Sequence, residues 1–202
     1  MTIDEIMRAA PVIPVLVLEE EMDWAALAET FVAAGLPVLE VTLRTPVALE
    51  AIRQMSRVDG AIVGAGTVLN EVHLAQSIDA GSRFIVSPGL TNPLALAARD
   101  TEIPFLPGVA TAADIMRGLD LGIERFKFFP AVTSGGIPAL QALAGPFGNI
   151  RFCPTGGVRP ETAKDWLALP SVLCVGGTWF VKPGDELATI GERARAAAEL
   201  TA

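Results

Sequence analysis

Eight times along this chain a short apolar or β-branched run bounded by Gly or Pro is followed by a longer Ala- and Leu-rich segment of helical period. The strand segments fall at 12–18, 38–42, 61–66, 84–87, 105–107, 125–128, 151–155 and 173–176, and the helical segments at 23–34, 46–57, 70–80, 92–98, 111–121, 135–144, 161–169 and 185–200. Strict alternation argues for parallel strands, because each return crosses over through a helix. Eight repeats favour closure into a single (β/α)8 TIM barrel over the alternative, an open doubly wound sheet. The open sheet would need Gly-x-Gly-x-x-Gly at the first strand-to-helix turn if it bound a dinucleotide, and none stands there. The 202 residues, with no low-complexity linker, suit one domain over 1–202 at the small end for such barrels. A segment at 3–10, ended by Pro11, reads as a short extra N-terminal helix placed to plug the bottom of the barrel.

Composition narrows the function classes. Hydrophobic residues make up 51% of the chain and mean hydropathy is +0.46, as expected when strands are buried on both faces. No uninterrupted apolar run approaches the roughly 20 residues that cross a bilayer, so no membrane partner is expected. The N-terminus carries Asp4 and Glu5 where a secretory leader would be basic, which points to the cytoplasm. A net charge of −8 without any Lys/Arg cluster argues against nucleic acid. Cys153 and Cys174 each sit in an apolar strand segment and read as reduced core thiols.

In such a barrel the chemistry gathers at the C-terminal ends of the strands. Alternation along Glu40-Val41-Thr42-Leu43-Arg44 puts Glu40, Thr42 and Arg44 on one face, either as a structural ion pair or as an acid and a guanidinium facing a ligand. In Phe126-Lys127-Phe128-Phe129-Pro130 the two flanking phenylalanines turn toward the helices and Lys127 points inward. Burial and a nearby cation such as Arg44 both disfavour an ammonium there, the condition for a nucleophilic amine; a snorkelling lysine or a structural partner for Glu40 is the blander reading. Glycine turns at Gly156-Gly157 and Gly176-Gly177-Thr178 follow the seventh and eighth strands, where barrels commonly hold phosphate through backbone N–H groups. Thr67, beside Gly64 and Gly66, is a further ligand contact, and Pro88 lines the end of strand four. The one histidine, His73, falls on a helix away from the strand ends, so neither a metal centre nor a Ser-His-Asp triad is expected.

Taken together, Glu40-Val41-Thr42-Leu43-Arg44-Thr45, Gly64-Ala65-Gly66-Thr67-Val68, Ser87-Pro88-Gly89, Phe126-Lys127-Phe128-Phe129-Pro130, Cys153-Pro154-Thr155-Gly156-Gly157 and Gly176-Gly177-Thr178-Trp179 closely resemble the bacterial 2-keto-3-deoxy-6-phosphogluconate (KDPG) aldolases, class I lyases of the Entner–Doudoroff pathway. The resemblance runs in unbroken order from the first strand to the eighth. It implies cleavage of a phosphorylated keto acid to pyruvate and glyceraldehyde 3-phosphate on a homotrimeric barrel without metal or other cofactor. By that likeness Lys127 is the Schiff-base lysine and Glu40 the general acid and base. Arg44, Thr67 and Pro88 fall at the pyruvate end, Thr155 near the aldehyde half, and Gly156, Gly157, Gly177 and Thr178 at the phosphate. Two positions depart from the family pattern: Thr178 stands where Ser is common, and Val132 where Glu is frequent. The resemblance leaves open the preference between C4 epimers and activity on 4-hydroxy-2-oxoglutarate. A phosphosugar isomerase or phosphate-binding synthase would share the glycine turns without needing Lys127, and a sugar-phosphate sensor would bind without turnover.

Overall fold

The computed structural model describes residues 1–19 and 22–200. It opens with helix α1 (Ile3–Arg8) and then alternates β1 (Val12–Leu16), α2 (Trp24–Ala33), β2 (Val38–Thr42), α3 (Ala48–Met55), β3 (Ile62–Gly66), α4 (Glu71–Asp79), β4 (Ile85–Ser87) and α5 (Asn92–Asp100). The second half continues with β5 (Phe105–Val109), α6 (Ala112–Asp120), β6 (Arg125–Phe128), α7 (Gly136–Ala144), β7 (Arg151–Pro154), α8 (Pro160–Leu167), β8 (Val175–Gly177) and α9 (Leu187–Ala198). All pairings are parallel, in the order β7-β6-β5-β4-β3-β2-β1-β8. The ring closes between β7 and β8 through bridges Phe152↔Val172 and Thr155↔Gly176, with Leu173 N donating to Phe152 O at 3.1 Å. Closure removes both sheet edges and decides for the (β/α)8 barrel over the open sheet.

Two apolar layers hold the barrel, and the period-two pattern of the strands assigns residues to each. Between strands and helices lies the larger one, which includes Phe126, Phe128, Phe152 and Trp166. Gly118 of α6 lies so close over Phe126 that a Cβ there would come within 2.4 Å of the ring, so the helix packs directly on the strand. Inside the barrel, Ile13, Val38, Ile62, Phe84, Val86 and Leu106 form a second cluster at the bottom, with Ile6 and Met7 of α1 pushed into it. The expected plug is therefore present. Burying those two side chains contributes about 1.5–3 kcal/mol each.

α1 is only 6 residues long and needs outside support. Its capping box supplies part: Thr2 Oγ1 accepts from Glu5 N, and Glu5 Oε2 accepts from Thr2 N. Asp4 supplies the rest by accepting from Arg8 Nε at 2.7 Å and from Arg125 Nε at the start of β6. Those two hydrogen bonds, Arg8 first, hold the Asp4 carboxyl below its ordinary value. Among the described residues no helix is long and apolar enough to span a membrane.

Candidate active site

β6 presents its middle residue to the barrel interior because its neighbours are claimed by the outer layer. Phe126 and Phe128 are fully buried under the helices, Phe128 packing 6.4 Å from Trp166, centroid to centroid. Lys127 must then face inward, where it is 6% exposed, beside Gly108 of β5 and Cys153 of β7 in the strand register. Glu40 of β2 faces it and is 3% exposed. Lys127 Nζ donates to Glu40 Oε1 at 2.9 Å and to Oε2 at 3.2 Å, a buried ion pair in the barrel interior.

Glu40 therefore pairs with Lys127 and not with Arg44, the alternative that strand alternation had left open. β2 ends at Thr42, so Arg44 lies in the turn beyond, with its backbone N–H donating to Thr42 O at 2.8 Å. From there Arg44 Nε donates to Thr67 Oγ1 at 3.2 Å, which joins the two residues expected at one end of a ligand. Thr67 adopts φ +58°, a left-handed conformation that a β-branched residue takes only at a cost. The turn is pinned on two sides: Leu43 N donates to Gly66 O at 2.8 Å, and Thr45 Oγ1 donates to Leu18 O at 2.6 Å. Thr42 Oγ1 donates to Leu16 O at 3.0 Å inside the barrel.

The other end of the mouth is built from the glycine turns. Ala131 N and Val132 N donate to Thr155 O and Gly156 O at 2.8 and 3.0 Å, which lays the β6–α7 loop against the end of β7. Gly156 and Gly157 have φ of +97° and +81°, so this turn needs glycine for its backbone as well as for space. A Cβ on Gly156 would lie 3.3 Å from the Phe129 ring, and that ring's centroid is 5.5 Å from Lys127 Nζ. Val132 covers Gly157 and is 46% exposed. Thr155 is buried, its Oγ1 within 2.2 Å of where a Cβ of Gly176 would sit. Gly177 packs on the Trp179 ring, and Thr178 is exposed on the loop that follows. That loop is long, as the expected helix start at 185 implied, and α9 starts at Leu187. The helix after Gly177-Thr178 thus begins about ten residues on, and the nearby backbone donors belong to the loop. Pro88 borders Gly108, where a Cβ would meet its carbonyl oxygen at 2.1 Å.

Two features escaped the sequence reading. Phe129 shares a face with Lys127, which the same period-two count could have found. Cys153 lies beside Lys127 across the β6–β7 pairing, which only strand register reveals. Both cysteines are free and buried, and Cys153 together with burial pushes the Cys174 thiol well above its ordinary range. His73 lies on α4, and among the described residues no group of three His, Cys, Asp or Glu is placed to hold a metal. A separate cavity of about 410 Å³ opens between the loops after β1 and β8, lined by Val17, Leu18, Met22, Val181, Lys182 and Asp185 among others. None of the site residues expected from the sequence lines it.

A buried amine touching a carboxyl, with a guanidinium and a hydroxyl to one side and a glycine-lined turn to the other, suits covalent carbonyl chemistry on an anionic substrate. The sequence matches the KDPG and KHG aldolase family over residues 3–192. It is 58% identical over 182 residues to the 2-dehydro-3-deoxy-phosphogluconate aldolase of Zymomonas mobilis, covering 90% of this chain and 88% of the relative. A crystal structure of a Zymomonas mobilis 2-keto-3-deoxy-6-phosphogluconate aldolase with 3-phosphoglycerate superposes with TM-score 0.96 at 55% identity, covering 98% of this chain and 96% of the other. The Legionella pneumophila KDPG aldolase, with pyruvate captured as a covalent carbinolamine, superposes with TM-score 0.92 at 42% identity over 98% and 99% of the two chains.

Proposed function

Because the chain belongs to the KDPG and KHG aldolase family, we propose that the Lys127–Glu40 pair is the reacting centre of its Schiff-base aldol cleavage. The activity is that of a class I aldolase, a carbon–carbon lyase that splits KDPG into pyruvate and glyceraldehyde 3-phosphate. The single observation that carries the residue assignment is the buried contact at 2.9 Å between Lys127 Nζ and Glu40 Oε1.

In that contact a proton can pass from Lys127 to Glu40, which yields the free amine and a neutral acid together. The amine adds to the C2 carbonyl. Glu40 protonates the departing hydroxyl, and loss of water leaves an iminium that withdraws electrons from C3. The Glu40 carboxylate then takes the C4 hydroxyl proton, the C3–C4 bond breaks, and glyceraldehyde 3-phosphate leaves. The resulting enamine takes the proton back at C3, and hydrolysis of the imine frees pyruvate. One carboxyl serves every step because it alternates between acid and base.

Arg44 and Thr67, already joined by a hydrogen bond, hold the substrate carboxylate, with Pro88 closing that end. Thr155 faces the aldehyde half, and Gly156, Gly157, Gly177 and Thr178 receive the phosphate through backbone N–H groups and one hydroxyl. The enzyme works as a single barrel domain and, as the family resemblance implies, as a cytoplasmic homotrimer. A phosphosugar isomerase would have no need for the Lys127–Glu40 contact.

Borohydride reduction in the presence of pyruvate is expected to leave a stable adduct on Lys127, located by peptide mass. No adduct under conditions that support turnover removes the assignment. Comparing kcat/KM on KDPG and its galactonate epimer, and on 4-hydroxy-2-oxoglutarate, tests the breadth of substrate.

A further inference from the structure

Gly66 is the last residue of β3, paired with Thr42, two residues beyond Glu40 on β2. Its φ is not among the positive values in the chain, so its backbone conformation is open to any residue. What sets it apart is space. A Cβ built on Gly66 would lie 2.3 Å from Glu40 Oε1, 2.7 Å from its Cγ and 2.8 Å from its Cδ. Real side chains do not approach that closely, so the outer half of Glu40 lies directly on the bare Cα of Gly66. From that seat the carboxylate reaches Lys127.

The geometry points to Gly66 as a positioning residue for the proton carrier: the missing side chain is a notch that aims the Glu40 carboxyl at the reacting amine. This rests on Glu40 being the proton carrier, as proposed above. Any β-carbon at position 66 must displace the carboxylate, because the three atoms nearest to it would all be from Glu40. Lys127, Arg44 and the glycine turns contribute none of those contacts. The sequence shows only a glycine in a Gly-rich strand end, which reads as ordinary turn chemistry or as room for a ligand. The structure shows that the side chain of Glu40 takes the room.

The test is Gly66→Ala alone and combined with changes at Glu40. Gly66→Ala is expected to lower kcat by about 10²-fold, the lower range for loss of a positioned acid–base group, while the borohydride-trapped pyruvate adduct on Lys127 still forms. In the Glu40→Gln background the same change should cost less than about threefold more, since both act through one carboxyl. Thermal stability gives a second, activity-independent arm: Gly66→Ala should lower Tm in the wild-type background but not in Glu40→Ala, where the clashing atoms are gone. That arm still decides if Gly66→Ala alone fails to fold. Wild-type kcat in Gly66→Ala, losses that multiply with Glu40→Gln, or equal Tm losses in both backgrounds would each overturn the notch. Full turnover in Glu40→Gln would instead remove the assignment of Glu40 and leave the steric arm to be judged by Tm.

Discussion

Replacing Lys127 with Met tests whether the pair inside the barrel is a desolvated ion pair. The two side chains are 7% and 4% exposed and meet at 2.9 Å. At an effective dielectric of about 20 that separation gives an attraction of about 6 kcal/mol, set against a desolvation cost of several kcal/mol for each ion. The pair is near balance when intact, and removing one partner strands the other. Lys127→Met is therefore expected to lose about 3–5 kcal/mol, because Glu40 would be left buried with its recorded donor gone. Glu40→Met should lose a similar amount. In a chain of 202 residues the lower bound corresponds to a fall in Tm of roughly 6–12 °C, at about 2–4 °C per kcal/mol. The double variant removes both charges and both desolvation costs, and should return to within about 1 kcal/mol of the wild type or exceed it. Equilibrium urea unfolding of the four proteins at neutral pH, followed by far-UV circular dichroism, measures the cycle. If Lys127→Met loses under about 1 kcal/mol, or the double variant shows the sum of the single losses, the pair is not held as desolvated charges and the proton-transfer step loses its starting state.

Other outcomes follow from particular contacts. Glu40→Gln is expected to slow but not abolish pyruvate trapping on Lys127 and to lose roughly 10²–10⁴ in turnover, read by a coupled pyruvate assay. Thr67→Gly relieves the strained φ but adds unfolded-state entropy, so stability should stay within about 1 kcal/mol while KM rises through loss of the hydroxyl that accepts from Arg44. Asp4→Asn should destabilise at neutral pH. Asp4 has a carboxyl held below its ordinary 3.8 by Arg8 and Arg125, so its stabilisation is present above that value and lost as pH falls through the lower folded one. The stability gap between Asp4→Asn and wild type should therefore close below about pH 4 in pH-resolved thermal melts. Cys153 and Cys174 should resist iodoacetamide in the native protein and both react in denaturant, since both thiols are buried and the contact with Cys153 together with burial pushes the Cys174 thiol up; rapid native alkylation would contradict their placement.

Along this chain the order of elements was legible because it is written in local periodicity. β2 and β6 occupy the expected residues, while α3 and α9 begin two residues later than expected. That Lys127 faces inward followed from Phe126 and Phe128 on either side, since a strand buried on both faces sends alternate residues to opposite layers. Glu40 was legible in the same way, as one acid among apolar neighbours. Strand alternation alone could not say whether Glu40 meets Arg44 or Lys127, because β2 and β6 are far apart in the chain and face each other only once the barrel has closed.

The residue types and their periods, which are properties of neighbouring positions, settled the eight parallel repeats, the inward lysine and the glycine turns. Tertiary structure alone decided the contact between Glu40 and Lys127, the cover that Val132 gives Gly157, and the seat of Glu40 on Gly66. These depend on strand register and on distances across the barrel. No periodicity carries that information, because a glycine needed for its φ and one needed for its emptiness are the same letter.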